Sequence, residues 1–270
     1  MRLPIRSQII RLYRALAANA RCRRLNELLF DCAIHGLGLL NDENHRLSGE
    51  KHFIETILPT YLASDRPAVI VDVGANEGSY ERLLFATLTA ARCVCVEPHP
   101  ITFKTLKTRV DTRCTLINCA LGANAGTCAF YDRADKDGSQ HATMYRNVIT
   151  DIHRQAVTTY HVPVRTLDEL AQDLQLPRID LLKIDTEGHE LEILRGARRL
   201  LSAGLIRLLH IEFNEMNVFS RVFLQDFREM LAGHSPYRML PSGIIPVSHS
   251  PLKSELFAFQ NIVFLPHPPI

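Results

Sequence analysis

Acids, amides and glycines stand at the ends of this chain's apolar runs, where side chains can reach a ligand. Residues Val69-Ile-Val-Asp-Val-Gly-Ala-Asn-Glu-Gly-Ser-Tyr80 read as a buried strand, a turn holding Gly74 and Gly78, and the start of a helix. Glycines let a backbone turn tightly and approach a ligand closely, and a helix N-terminus presents free N–H groups. Such a segment either cradles a nucleotide or is a tight turn and nothing more. The next apolar run, Val94-Cys-Val96, ends in Glu97 and Pro98. A carboxylate at the tip of the second strand can accept hydrogen bonds from both hydroxyls of a ribose. Its competing role is to cap a helix that starts near Ile101. A third run, Leu181-Leu-Lys-Ile-Asp-Thr-Glu-Gly188, turns polar at its end.

Alternation along that run puts Lys183 and Asp185 on one side and Ile184 on the other, with Glu187 and Gly188 in the turn beyond. Asp185 is the first candidate to take or position an acceptor proton, and Glu187 the second. Against this, Lys183 and Asp185 could form a buried ion pair, and Glu187 could cap the helix that follows. Glu212 and Asn214 end another apolar run and, with Asp185, could offer oxygens to a divalent cation; no metal is expected at the site. His99, His141 and His189 are further proton acceptors near the same edge. Asn76 stands where a dinucleotide fingerprint has a glycine, and the turn lacks a third glycine and a basic residue. That favours a ligand without a pyrophosphate, and S-adenosyl-L-methionine is one.

The elements that would position these groups alternate. Strands are predicted at Val69–Val73, Cys93–Val96, Thr115–Ile117, Thr127–Tyr131, Val162–Arg165, Ile179–Ile184 and Ile206–Phe213. A final pair of β segments is predicted over Tyr237–Val247 and Phe257–Leu265. Helices are predicted near 79–90, 101–110, 167–174, 191–201 and 221–231. Residues 132–161, with Asp132, Asp135, Asp137, Gly138 and Ser139, read as a long polar loop or lid. Alternation of this kind gives an α/β domain with a mostly parallel central sheet flanked by helices, over residues 66–270. Residues 1–65 form an N-terminal helical extension, interrupted around Gly36, Gly38 and the polar stretch Asn41–His45; Phe53, Ile54, Ile57, Leu58 and Leu62 lead into the core.

The chain has 270 residues and a formal net charge of +2, which argues against an electrostatic nucleic-acid binder. Its seven cysteines show no zinc-type spacing, and a Cys93-x-Cys95 pair in a strand is expected to point its sulfurs to opposite faces, unable to share a metal. Reduced thiols, no run of about eighteen apolar residues and no signal-peptide core together suggest a cytoplasmic setting. Residues 1–25 carry seven arginines and no acid. Ile5, Ile9, Leu12 and Leu16 fall at helical spacing, so this basic helix is read first as a cap packed on the domain with its arginines in water. The other reading is peripheral contact with an anionic membrane or a protein.

Across roughly residues 49–265 the sequence resembles the FkbM family of methyltransferases. The blocks that carry the likeness are Ile70–Tyr80, Val96–Phe103, Asn118-Cys-Ala-Leu-Gly122, Val164–Leu170, Ile179–Glu190, Leu194-Arg-Gly-Ala197 and Ile211-Glu-Phe213, in that order. The resemblance implies a class I, Rossmann-like methyltransferase fold and methyl transfer from S-adenosylmethionine, usually to an oxygen, with a small-molecule or glycan acceptor. It implies that Asp72, Gly74, Asn76 and Gly78 border the methionine and ribose of the cofactor, that Glu97 holds the ribose, and that Asn118 and Cys119 border the adenine. A nucleoside-dependent oxidoreductase and a catalytically inactive binding module are the competing functions.

Overall fold

Two sheets and a peripheral helix pair make up the computed structural model, which describes residues 5–135, 138–139, 141–152 and 154–267. Asp137 and Arg2 lie outside the described residues. The strands, in chain order, are β1 Val69–Val73, β2 Arg92–Val96, β3 Cys114–Ile117, β4 Ala120–Leu121, β5 Gly126–Arg133 and β6 Val157–Arg165. They continue as β7 Ile179–Ile184, β8 Ile206–Phe213, β9 His234–Leu240, β10 Gly243–Pro246 and β11 Gln260–Pro266. The main sheet has the order β10-β9-β11-β8-β7-β1-β2-β3. Its β8-β7-β1-β2-β3 part is parallel, and β11, β9 and β10 attach antiparallel.

The parallel strands are apolar on both faces because helices cover both. Val71, Val73, Val94, Val96, Leu182, Ile184, Leu209 and Ile211 pack beneath the helices of residues 167–202 and 224–230. The alternate positions Ile70, Cys93, Cys95, Leu181, Leu208 and Val263 pack with Phe53, Ile54, Leu58, Tyr80, Leu84, Phe103 and Leu106. The segment from Leu39 to Leu58 is thus built into the same core as the sheet. The helices α1 (Ile5–Ala17) and α2 (Arg23–Gly36) stand away from it, each with a single buried residue, Ala17 and Ile34.

Three expectations are corrected. Residues 132–161 are not loop throughout: β5 runs to Arg133 and β6 begins at Val157, pairing antiparallel from Gly126↔Val164 to Arg133↔Val157 in the second sheet, β4-β6-β5. Its polar side chains misled the reading because one face of this small sheet is wet. Residues 237–247 hold a tight β9–β10 hairpin rather than one segment. Cys93 and Cys95 share a face, their sulfurs 3.7 Å apart, because residues two apart on a strand point the same way.

Candidate active site

The glycine turn begins where β1 ends, between β2 and β7. Gly74 has φ +85°, and a β-carbon there would overlap the carbonyl oxygen of Asp185, so only glycine lets the turn pass the end of β7. The Gly74 and Ala75 N–H groups donate to the Val96 carbonyl at 2.9 and 3.1 Å, which folds the turn towards β2. Gly78 serves packing instead: a β-carbon there would run into Val110. Asn76 sits at φ +48°, and its buried Oδ1 has no hydrogen-bond partner.

Glu97 lies opposite. Its Oε2 accepts from the Asn76 N–H at 3.0 Å and its Oε1 from the His99 N–H at 2.8 Å. The capping alternative falls away, since His99 Nδ1 itself accepts from the N–H groups of Ile101 and Thr102. Burial disfavours the Glu97 charge and outweighs the two backbone donors, so its carboxyl is pushed up to about 7. Cys119 lines the same cleft, whereas Asn118 is spent as a brace, its Nδ2 donating to the carbonyls of Glu97 and Pro98 at 2.8 and 3.2 Å. Asp72 is fully buried beneath the turn and does not reach the cleft wall.

Asp72 instead holds Lys183, whose Nζ lies 3.4 Å from Asp72 Oδ1 and 3.2 Å from Asp185 Oδ2. The ion pair weighed for Lys183 and Asp185 is therefore present, as part of a triad. Burial works against the ammonium, but Asp185, Asp72 and Glu50 together hold Lys183 well above its ordinary value. Asp185 keeps 33% of its side chain exposed to the cleft, so pairing does not remove it from reach of a ligand.

Glu187 also faces the cleft, and the turn-organising role belongs to Glu190, whose Oε1 accepts from the N–H groups of Thr186 and Gly188 at 3.1 and 3.0 Å. One Asn214 amide donates to Glu187 at 3.2 Å and to Glu212 at 2.7 Å, holding two carboxyls that would otherwise repel. Burial, with the Asp185 and Glu187 charges, pushes the Glu212 carboxyl well above the carboxylate range. His141 Nδ1 lies 3.3 Å from Glu187. His189 also lines the cleft, but burial lowers it to about 4 and keeps it neutral. His99 is committed to its helix cap and to Asp132, 3.3 Å away.

One wall was not foreseen. Asp42, Glu43, Asn44, His45, Ser48 and Glu50 border the cleft beside Lys183 and Asp185. His45 Nδ1 lies 2.6 Å from Glu50, which also accepts from Ser48 Oγ at 2.9 Å. The sequence signal was the polar stretch Asn41–His45 between two apolar segments, read only as a helix break. Burial opposes the Glu50 charge, but the His45 hydrogen bond and nearby positive charge hold the carboxyl at about 2; the same bond raises His45. A depressed carboxyl stabilises the fold above its unfolded value of 4.5, and that contribution is lost as pH falls through about 2. The His45 side stabilises below its unfolded 6.5 and fades as pH rises above that value. Melting curves taken between pH 4.5 and 2 should therefore be flatter for Glu50→Gln than for the wild type. Parallel curves would show that the pair contributes nothing to acid sensitivity.

The whole cleft has a volume of about 590 Å³, with the glycine turn and Glu97 among its walls and Asp185, Glu187, Glu212 and His45 among the others. A glycine turn after the first parallel strand, an acid at the tip of the second and a carboxylate-lined fourth-strand edge thus border one cleft of a class I methyltransferase fold. The chain belongs to the methyltransferase FkbM domain family, whose model matches residues 72–236. It is 26% identical over 162 residues to the hexuronic acid methyltransferase AglP of Haloferax volcanii, a match covering 58% of this chain and 60% of that protein. It is 22% identical over 186 residues to the 2-O-methyltransferase NoeI of Sinorhizobium fredii, covering 65% of this chain and 76% of that one. A TehB-like methyltransferase structure from Corynebacterium glutamicum aligns with a TM-score of 0.42 at 15% identity, covering 92% of this chain and 100% of its own.

Proposed function

We propose that this protein transfers the methyl group of S-adenosylmethionine to a hydroxyl of a sugar or glycan. The observation that carries the reading is that one cleft joins a nucleoside-type wall, Gly74 to Asn76 with Glu97, to a proton-accepting wall at Asp185 and Glu187. The names of AglP and NoeI, a hexuronic acid and a 2-O-methyltransferase, support an oxygen acceptor on a sugar. The residues fit the cofactor. The orphaned Asn76 Oδ1 can accept from a ligand N–H or O–H, and Glu97 retains lone pairs for two ribose hydroxyls beyond its backbone donors.

When bound, the cofactor supplies an electrophilic methyl on a good leaving group. The protein's share is alignment and proton removal. Asp185 accepts the acceptor's hydroxyl proton at its cleft-facing carboxylate, while Lys183, 3.2 Å away, fixes that carboxylate in place. The His45–Glu50 pair and Asn44 present polar atoms that suit sugar hydroxyls.

Cofactor binding gives the test. Ribose hydroxyls donate to an ionised carboxylate, so affinity for S-adenosylmethionine should tighten as pH rises through about 7, where Glu97 ionises. In Glu97→Gln the charge-assisted contacts are lost, which weakens binding by on the order of 2–4 kcal/mol and abolishes the pH dependence. Calorimetric titration across that range, followed by a methyl-transfer screen against hexoses, hexuronic acids and their nucleotide conjugates, reads both halves of the proposal. Wild-type affinity in a folded Glu97→Gln protein would remove the nucleoside from this wall.

A further inference from the structure

We propose that α1 and α2 form an amphipathic hairpin that lies on an anionic bilayer surface. The cap reading requires the apolar stripe of α1 to pack on the domain, and the structure leaves it uncovered. Ile5, Ile9, Leu12 and Leu16, which share one face at helical spacing, are 76, 62, 62 and 68% exposed. On α2 the stripe Leu25, Leu28 and Leu29 is likewise open to solvent, as is Phe30. Two consecutive helices thus leave their apolar sides uncovered, far more than the scattered exposed leucines of an ordinary surface.

The hairpin is held in shape by polar contacts at its turn. Asn19 Oδ1 accepts from the N–H groups of Arg21 and Cys22 at 3.0 and 3.2 Å, and its Nδ2 donates to the Leu16 carbonyl at 2.9 Å. Asn26 Nδ2 reaches the Ala17 carbonyl at 3.0 Å, and Tyr13 hydroxyl donates to Asn26 Oδ1. The stripes are therefore displayed by a fixed unit rather than by independent segments.

Charge selects the occupant. Arg6, Arg11 and Arg14 lie around the side of α1 away from its stripe, and Arg21, Arg23 and Arg24 cluster at the turn, against only Glu27 and Asp31 on α2. A helix with an arginine-rich polar side and an Ile/Leu apolar side suits the headgroup boundary of an anionic membrane. A second copy of the chain would instead bring two arginine clusters together. Crossing is excluded by length: α1 has 13 residues, about 20 Å of helix against a hydrocarbon core of about 30 Å. No helix among the described residues is long and apolar enough to span.

Co-sedimentation of the full chain with vesicles tests this. The protein should pellet with vesicles of equal phosphatidylglycerol and phosphatidylcholine, not with phosphatidylcholine alone, and salt should release it. Arg11→Gln and Arg14→Gln should each weaken partitioning about fivefold. Leu12→Asp should weaken it at least about tenfold, from the lost apolar burial of one leucine. Its melting temperature should stay close to wild type, because Leu12 is 62% exposed on a helix that stands away from the core. The proposal is overturned by equal binding to both vesicle types, by wild-type partitioning of Leu12→Asp, or by a lowered melting temperature in that variant. It is equally overturned if sedimentation equilibrium finds a dimer that Leu12→Asp dissolves while vesicles are ignored.

Discussion

Asp185→Asn is expected to lower turnover by roughly 10²–10⁴, the range for loss of a general base, with fold and cofactor affinity close to wild type. The structural reason is the triad. An ordinary buried ion pair that loses its acid strands a cation and destabilises the fold by about 3–5 kcal/mol. Here Lys183 retains Asp72 at 3.4 Å, and the Glu50 charge also acts on it, so asparagine leaves no orphan. Asparagine keeps the shape and can still accept from the ammonium, but it cannot take a proton. Three readouts on one variant separate the roles: melting temperature, cofactor titration and single-turnover rate. Near-normal turnover in a stable protein would take Asp185 out of the chemistry and move the assignment to Glu187. Activity abolished by chelator in the wild type and restored by magnesium or manganese would instead indicate a metal role for the carboxylate group.

Lys183→Met should be costly in the opposite way. It is expected to lower stability by about 3–5 kcal/mol, which for a domain of this size is roughly 6–20 °C in melting temperature. Asp72 has no exposure, and burial already raises it despite the Lys183 charge beside it. Glu81, also buried, is pushed well above the carboxylate range by burial and by Asp72, and as an acid it offers Asp72 no counter-charge. Removing the ammonium leaves Asp72 the choice of protonation or of an unpaired buried charge. The double variant Lys183→Met with Asp72→Asn should recover part of the loss, since the stranded carboxylate is gone. A single variant that melts like the wild type, or a double variant with no recovery, would show that the Asp72–Lys183 pair does not support the fold.

The parallel strands could be read because they are buried on both faces and bounded by glycine and proline; β1, β2, β7 and β8 fall within a residue or so of expectation. So could the residues at their tips, since Glu97, Asp185 and Glu187 owe their placement to strand register. What could not be read was set by distant parts of the chain. That Asp72 points into the core rather than the cleft follows from Lys183 lying between it and Asp185, a contact 111 residues away in sequence. The His45–Glu50 wall has no strand period to announce it; it forms because Leu39 and Phe53 on either side are buried in the core. That the α1 stripe stays uncovered was equally hidden. Periodicity shows that a helix is two-sided, and not whether either side meets the body.

β11, the last strand in chain order among the described residues, has a position that bears on how the sheet is assembled. β11 is interior to the sheet, between β8 and β9, so the β9–β10 hairpin has nothing to join until residues 260–266 have left the ribosome. At roughly 5–20 residues per second, that is a wait of the order of seconds with the free edge of β8 open. The same event fixes the early wall of the cleft, because the Leu40 N–H donates to the Phe259 carbonyl at 2.8 Å and Asn261 lines the cavity. Residues of this early wall are thus tied to residues more than 200 positions later in the chain. A chain cut before β11 would lack the strand that joins β8 to the β9–β10 hairpin, and with it the Asn261 part of the cleft wall.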